Sequence, residues 1–302
     1  MAGMIMRQPG IGARPLKATD DPGWVKFLII VTSVLFFGLF MLLPLIIVFQ
    51  EALRNGFQGY FSSFNNEETR NAVRLTLFTA AIAVPCNTIF GLAAAWCVCR
   101  FQFKGRSLLL SMIELPIWVS PVIGGLIYVL LFGRQGLIGP WLQTHDIHII
   151  FAVPGIVLAT IFVTFPFVAR SIIPQLETQG LAEEEAAMTL GADGWTVFFR
   201  ITLPKIKWSL LYGIILCNAR SMGEFGAVSV VSGHIRNYTD TLPLQIEILY
   251  NDYQSVAAFA VASLLSLLAL LTLLLKTYSE WQGEEHLKRS LELYKIEEQR
   301  IV

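Results

Sequence analysis

Charge is scarce in this sequence: Asp, Glu, Lys and Arg make up 15% of 302 residues, where soluble domains carry about 25%. What charge there is balances, 22 basic against 22 acidic side chains, so no electrostatic case arises for nucleic acid, and no basic stripe is interleaved with aromatics. No G-x-x-x-x-G-K-[ST] run is present, so the chain lacks the loop that cradles ATP phosphates. Its four histidines (His145, His148, His234, His286) are dispersed. His145 and His148 share an outer loop with Asp146 alone, too few groups for a metal site or a catalytic cluster. The four cysteines (Cys86, Cys97, Cys99, Cys217) all fall inside apolar runs and form no disulfide framework. Cys97 and Cys99, two residues apart, point to different faces of a helix, and all four read as inert thiols. No internal repeat is evident.

What fills the sequence instead is apolar: 55% of residues are hydrophobic. A bilayer core needs about 20 apolar residues as helix. Six segments reach that length: Phe27–Phe49, Leu75–Cys99, Leu108–Phe132, Ile149–Ala169, Trp208–Ser232 and Val256–Leu275. The first follows a basic stretch, as a signal peptide would, but it is too long for a signal core and no A-x-A-like site follows it. It reads as a retained span. Strict alternation is absent, which excludes barrel strands, so the expected fold is all-α with six transmembrane helices. Pro44, Pro85, Pro116, Pro121 and Pro166 lie within or near these runs and predict kinks. The Pro116–Pro121 pair beside Gly124 and Gly125 predicts a broken or sharply bent third span.

Orientation follows from Lys and Arg. With a cytoplasmic N-terminus, sixteen fall in inside segments and five (Arg54, Arg70, Arg74, Arg134, Arg236) outside. Both termini are therefore expected in the cytoplasm. The expected organisation is a cytoplasmic segment 1–26, a permease-like domain 27–278 with its core at 70–276, a cytoplasmic loop 175–207, and a charged cytoplasmic helix 279–302. No gap between spans has room for a soluble domain.

The cytoplasmic loop before the fifth span is the most informative stretch. Glu183, Glu184 and Glu185 open a short helix, where acids suit the N-terminus. Ala186 and Ala187 allow close approach of another backbone, and Gly191 can end the helix in the left-handed conformation. Trp195–Ile201 predicts a second short amphipathic segment, and Pro204 sets the start of the next span. An ordinary interfacial helix-turn-helix would need no more. Glu185, Ala186, Ala187, Gly191, Ile201, Leu203 and Pro204, however, fit E-A-A-x3-G-x9-I-x-L-P at every fixed position. The loop thereby resembles that of bacterial ABC importer permeases.

Within the fifth span, Arg220 and Glu224 are four apart and can pair on one helix face. Burying either charge alone in a bilayer costs about 2.5–3.5 kcal/mol on insertion scales. The pair can hold the bundle together, serve as a gate, or let Arg220 touch an anion in transit. Ser229 and Ser232 on the same span, and Glu114 in the third, are further pore candidates. The run Arg220–Gly233, followed by Leu242–Glu247, is similar to the sulfate and molybdate branch of these permeases, and within it to the CysW-type subunits of sulfate/thiosulfate importers. Phe103–Arg106, Ser120–Leu126 and Thr160–Thr164 support the likeness, which spans roughly residues 70–276.

The resemblance implies a type I ABC importer permease architecture in the bacterial inner membrane, in contact with lipid, and a translocation subunit rather than an enzyme. It implies alternating access for sulfate or thiosulfate, with molybdate or tungstate as the alternative cargo. It also implies a related CysT-type permease partner, two copies of a CysA-type ATPase that bind ATP-Mg outside this chain, and an extracytoplasmic sulfate-binding protein. Under it, Glu185, Ala186, Ala187 and Gly191 are residues of a coupling helix that docks on the ATPase, with Ile201, Leu203 and Pro204 completing the motif. Specificity is then expected in the binding protein, since stripping water from a dianion in the pore alone is expensive.

Overall fold

The structure is a computed structural model that describes residues 22–301, with side chains to residue 278. The basic stretch at 7–17 and the side chains of the charged tail lie outside the described residues. Among the described residues every regular element is helical. In chain order these are α1 (Gly23–Phe37), α2 (Leu43–Ala52), α3 (Gly56–Ser62), α4 (Glu67–Arg100), α5 (Arg106–Trp118), α6 (Pro121–Phe132), α7 (Gly139–Thr144), α8 (Val153–Gln179), α9 (Ala182–Thr189), α10 (Gly194–Val197), α11 (Leu203–Met222), α12 (Gly226–Ser232), α13 (Leu242–Asn251) and α14 (Ser255–Ile301). Single π-helical turns, Gly38–Leu42 and Phe198–Thr202, join α1 to α2 and α10 to α11.

Four stretches are continuous helix long and apolar enough to cross a membrane: Gly23–Ala52, Glu67–Arg100, Val153–Gln179 and Ser255–Tyr278. Two more become spans if bent pairs are counted as one: α5 with α6, bent by 110°, and Gly194–Met222 with α12, bent by 50°. The six predicted segments each correspond to one of these. The third breaks where the proline pair stands, as the sequence suggests. Pro121, however, begins α6 rather than kinking a helix, because a first-turn residue has no N–H obligation to lose. Pro154 and Pro243 open α8 and α13 in the same way, whereas Pro204, expected to set the start of the fifth span, follows a π turn inside continuous helix. The fifth span differs from expectation: one helix over Trp208–Ser232 is predicted, but α11 ends at Met222 and α12 begins at Gly226.

The chain divides into two compact units at residues 47 and 48. The first holds α1, its π turn and the start of α2. In the second, α8 is the central helix, packed against α4, α5, α6, α11 and α12. Ile156, Ala159 and Val163 meet Ala227, Val228, Val231 and Leu244 in one buried cluster. Further along α8, Val168, Ile172 and Leu176 meet Ala95, Ile206 and Cys217 in another. Cys217 is buried, while Cys86, Cys97 and Cys99 are half-buried and free. Polar side chains pin the same helices together. Asn87 of α4 donates to Thr164 Oγ1 at 2.7 Å and to the Ile161 carbonyl at 3.2 Å, the interhelical bonding that membrane interiors favour.

Glycine sets the closest approach. A Cβ on Gly125 of α6 would stand 2.6 Å from the Ala227 carbonyl oxygen of α12. Gly125→Ala is expected to force the two short helices apart, destabilising the fold by about 1–3 kcal/mol; chemical unfolding of the purified chain in detergent measures it. A second expectation concerns Asp240, between α12 and α13. Its carboxylate is buried, neither oxygen has a hydrogen-bond partner within the protein, and burial pushes its pKa up. The folded state then holds a proton that the unfolded state releases, so stability is lost as pH rises from the usual carboxylate range through the raised value. Asp240→Asn should raise the thermal midpoint at neutral pH and have little effect at low pH. A pH series of melting curves on both proteins checks this.

Candidate functional site

Two places gather the polar groups picked out by the sequence: the loop that joins α8 to α11, and the break between α11 and α12. The loop begins where α8 stops at Gln179 and the chain turns through Gly180 at φ 67°. Helix α9 follows, with Glu183, Glu184 and Glu185 in its first turn. Gly191, at φ 90°, closes it, its N–H donating to the Met188 carbonyl at 3.0 Å while Ala192 N–H reaches Ala187 at 3.0 Å. The left-handed turn predicted there is present. Asp193 precedes α10 and accepts a hydrogen bond from the Thr196 hydroxyl, which holds its carboxyl below the ordinary range. The expected separate segment Trp195–Ile201 instead runs through the π turn into α11, giving uninterrupted helix over Gly194–Met222.

The seven motif positions divide between two surfaces. Glu185, Ala186 and Gly191 are exposed and Ala187 is half-buried. Ile201 and Leu203 are half-buried where the π turn meets α11, and Pro204 is exposed. Trp195 and Phe199 stack, rings 5.9 Å apart, and are exposed beside them.

The residue that sequence reasoning passed over is Glu184. It is buried, while Glu183 and Glu185 on either side of it are exposed. Its Oε1 receives Arg100 Nη2 at 2.7 Å and the Thr202 hydroxyl at 2.8 Å. Arg100, the last residue of α4, also donates to the Leu176 carbonyl at 3.3 Å. Its guanidinium lies 5.5 Å from the Trp96 ring centre, and Trp96 meets Phe198 edge-on at 5.1 Å. Glu183 pairs with Lys205 at the rim. Successive helical residues are about 100° apart, so three consecutive acids cover about 200° of the helix and their spacing does not say which turns inward.

At the other end of α11, some 27 Å of helix away, Arg220 and Glu224 do pair, Nη2 to Oε2 at 2.8 Å. They do so across a helix break rather than along one helix face. The N–H does not aim at Oε2, so the contact is charge attraction. Glu224 is fully buried and its Oε1 accepts the Ala227 N–H at 2.9 Å, capping α12. Arg220 is about a third exposed, at 34%. Ser229 donates back to the Gly226 carbonyl at 2.9 Å. Ser232 is buried and accepts from His234 N–H at 3.2 Å. Glu114 is half-buried on α5. Glu224→Ala removes a charged acceptor and leaves a buried amide unpaired, and should cost about 1.5–3 kcal/mol, read as a lowered unfolding midpoint of the purified chain.

The family model described as "Binding-protein-dependent transport system inner membrane component" matches residues 87–280. A Synechocystis sp. protein named "Sulfate transport system permease protein CysW" is 51% identical over 262 residues, covering 87% of this chain and 95% of that protein. An Escherichia coli protein named "Sulfate transport system permease protein CysT" is 36% identical over 234 residues, 78% of this chain and 84% of that one. Among solved structures, a chain of a bacterial alginate ABC transporter in complex with an alginate pentasaccharide-bound periplasmic protein superposes with a TM-score of 0.69. It is 18% identical and covers 85% of this chain and 92% of its own, a likeness of fold.

Proposed function

The chain belongs to the family of binding-protein-dependent transport system inner membrane components, and on that premise we propose that it is the CysW-type permease of an ATP-driven sulfate/thiosulfate importer. It is a multi-pass membrane protein and a translocation component rather than an enzyme. The observation that carries the choice of cargo is the 51% identity, over nearly the whole chain, to a sulfate permease. The likeness to a CysT permease as well supports a heteromeric complex, in which this chain faces a related subunit. Two ATPase copies that hold ATP-Mg, and a sulfate-binding protein outside, complete the assembly we propose.

Several features favour α9 as the helix that meets the ATPase. Glu185 and Ala186 are exposed on it and Gly191 just beyond it, small side chains permit a close fit, and the Lys and Arg distribution favours a cytoplasmic loop. Of the pore candidates, Arg220 has the geometry best suited to the path: a guanidinium one-third exposed on a span belongs beside water, not lipid. Ser229 and Ser232 are bonded within their own segment and shape the path indirectly.

Uptake of radiolabelled sulfate into proteoliposomes holding the full complex and internal ATP tests the cargo. Uptake that survives excess molybdate supports the reading; uptake abolished by trace molybdate overturns it in favour of a molybdate importer. Gly191→Pro cannot adopt φ 90° and Glu185→Lys reverses an exposed charge. Each is expected to leave membrane insertion intact while uncoupling ATP hydrolysis from uptake, and unchanged uptake in both would remove α9 from that role.

A further inference from the structure

Helix α9 is eight residues long, and Glu184 is its one buried residue. A helix this short does not hold its own shape in water, and short surface helices are ordinarily seated by apolar side chains. Here the seat is a carboxylate, a group almost never buried unless paired. Gly180 and Gly191 flank α9 at φ 67° and 90°, and glycine is the residue whose backbone turns most freely. Without a side-chain anchor, a push on α9 would be absorbed at those two glycines.

The anchor is a single oxygen. Glu184 Oε1 holds Arg100 at the end of α4 and Thr202 at the threshold of α11, and Arg100 holds the end of α8 through the Leu176 carbonyl. Three long helices of the bundle therefore converge on one side chain of α9. The ion pair is nearly closed off, with side chains 7% and 10% exposed, so salt screens it little. The Glu183–Lys205 pair at the rim is more open and adds little. A charged, hydrogen-bonded contact is directional; an apolar one can slide. Meanwhile Glu185, Ala186 and Met188 remain exposed on α9.

We propose that Arg100, Glu184 and Thr202 form a clasp that transmits displacement of α9 to α4, α8 and α11, making the three positioning residues for transport. This rests on the reading of α9 as the ATPase-contacting helix. The test uses the full complex in proteoliposomes and measures sulfate taken up per ATP hydrolysed, together with assembly and thermal midpoint. The variants are Arg100→Met, Glu184→Met, and the double variant. The double variant removes the uncompensated buried charge and should assemble and melt close to the unaltered complex. ATP hydrolysis should persist in each assembled variant, while sulfate per ATP falls about tenfold or more, in the double variant as well. A double variant with normal sulfate per ATP overturns the proposal, because the clasp would then only fill space. Should none of these assemble, Thr202→Val, which keeps the ion pair, decides: a drop of about threefold supports the clasp and an unchanged ratio overturns it. If the unaltered complex takes up sulfate without ATP, the underlying reading fails, whatever the variants do.

Discussion

Hydrocarbon offers no partner to a peptide group, so each departure from continuous helix in a spanning segment must be answered by the protein itself. That constraint accounts for several of the polar and proline positions in this bundle. Where α11 stops, Glu224 turns its carboxylate to the Ala227 amide in the first turn of α12. Between α4 and α8, Asn87 donates to the Ile161 carbonyl and to Thr164 Oγ1, tying the two helices together. Where α6 and α8 begin, proline stands in the first turn and leaves no donor to satisfy. The breaks are placed where small residues let helices close over them, as at Gly125 against Ala227.

Helix α11 ties the two polar sites together. Its start abuts Thr202, which bonds the buried carboxylate of α9, and its end carries Arg220 beside the second buried carboxylate. Continuous helix runs between them, packed on α8, α14 and α4. Events at the loop and at the break are thus the two ends of one body, and α8 provides the surface along which that body is held.

Much of this was legible in the residues. Six apolar runs of sufficient length became four continuous helices and two bent pairs, because span length is fixed by the bilayer and not by packing detail. The Pro116–Pro121 break and the left-handed Gly191 were readable because proline and glycine act on their own backbone. The second break was not: Asn218, Arg220 and Glu224 interrupt the apolar run without marking a helix end, and α11 stops short of Gly223, beside which the Glu224 carboxylate accepts the Ala227 N–H of the following helix. Sequence spacing correctly joined Arg220 to Glu224 but assigned the wrong geometry, since i,i+4 contact arises on one helix or across a tight turn. Arg100 and Glu184 were hidden for another reason. They are 84 positions apart, and which of three adjacent acids turns inward depends on tertiary packing that no local pattern records.

One carboxylate at the break serves two masters. Glu224 balances the charge of Arg220 and at the same moment starts α12. A negatively charged visitor that draws the guanidinium toward itself leaves that carboxylate answerable only to the amide of Ala227. Under the proposed role of Arg220, the arrival of an anion would be felt as a change in how firmly a helix begins, and an electrical event would also be a mechanical one.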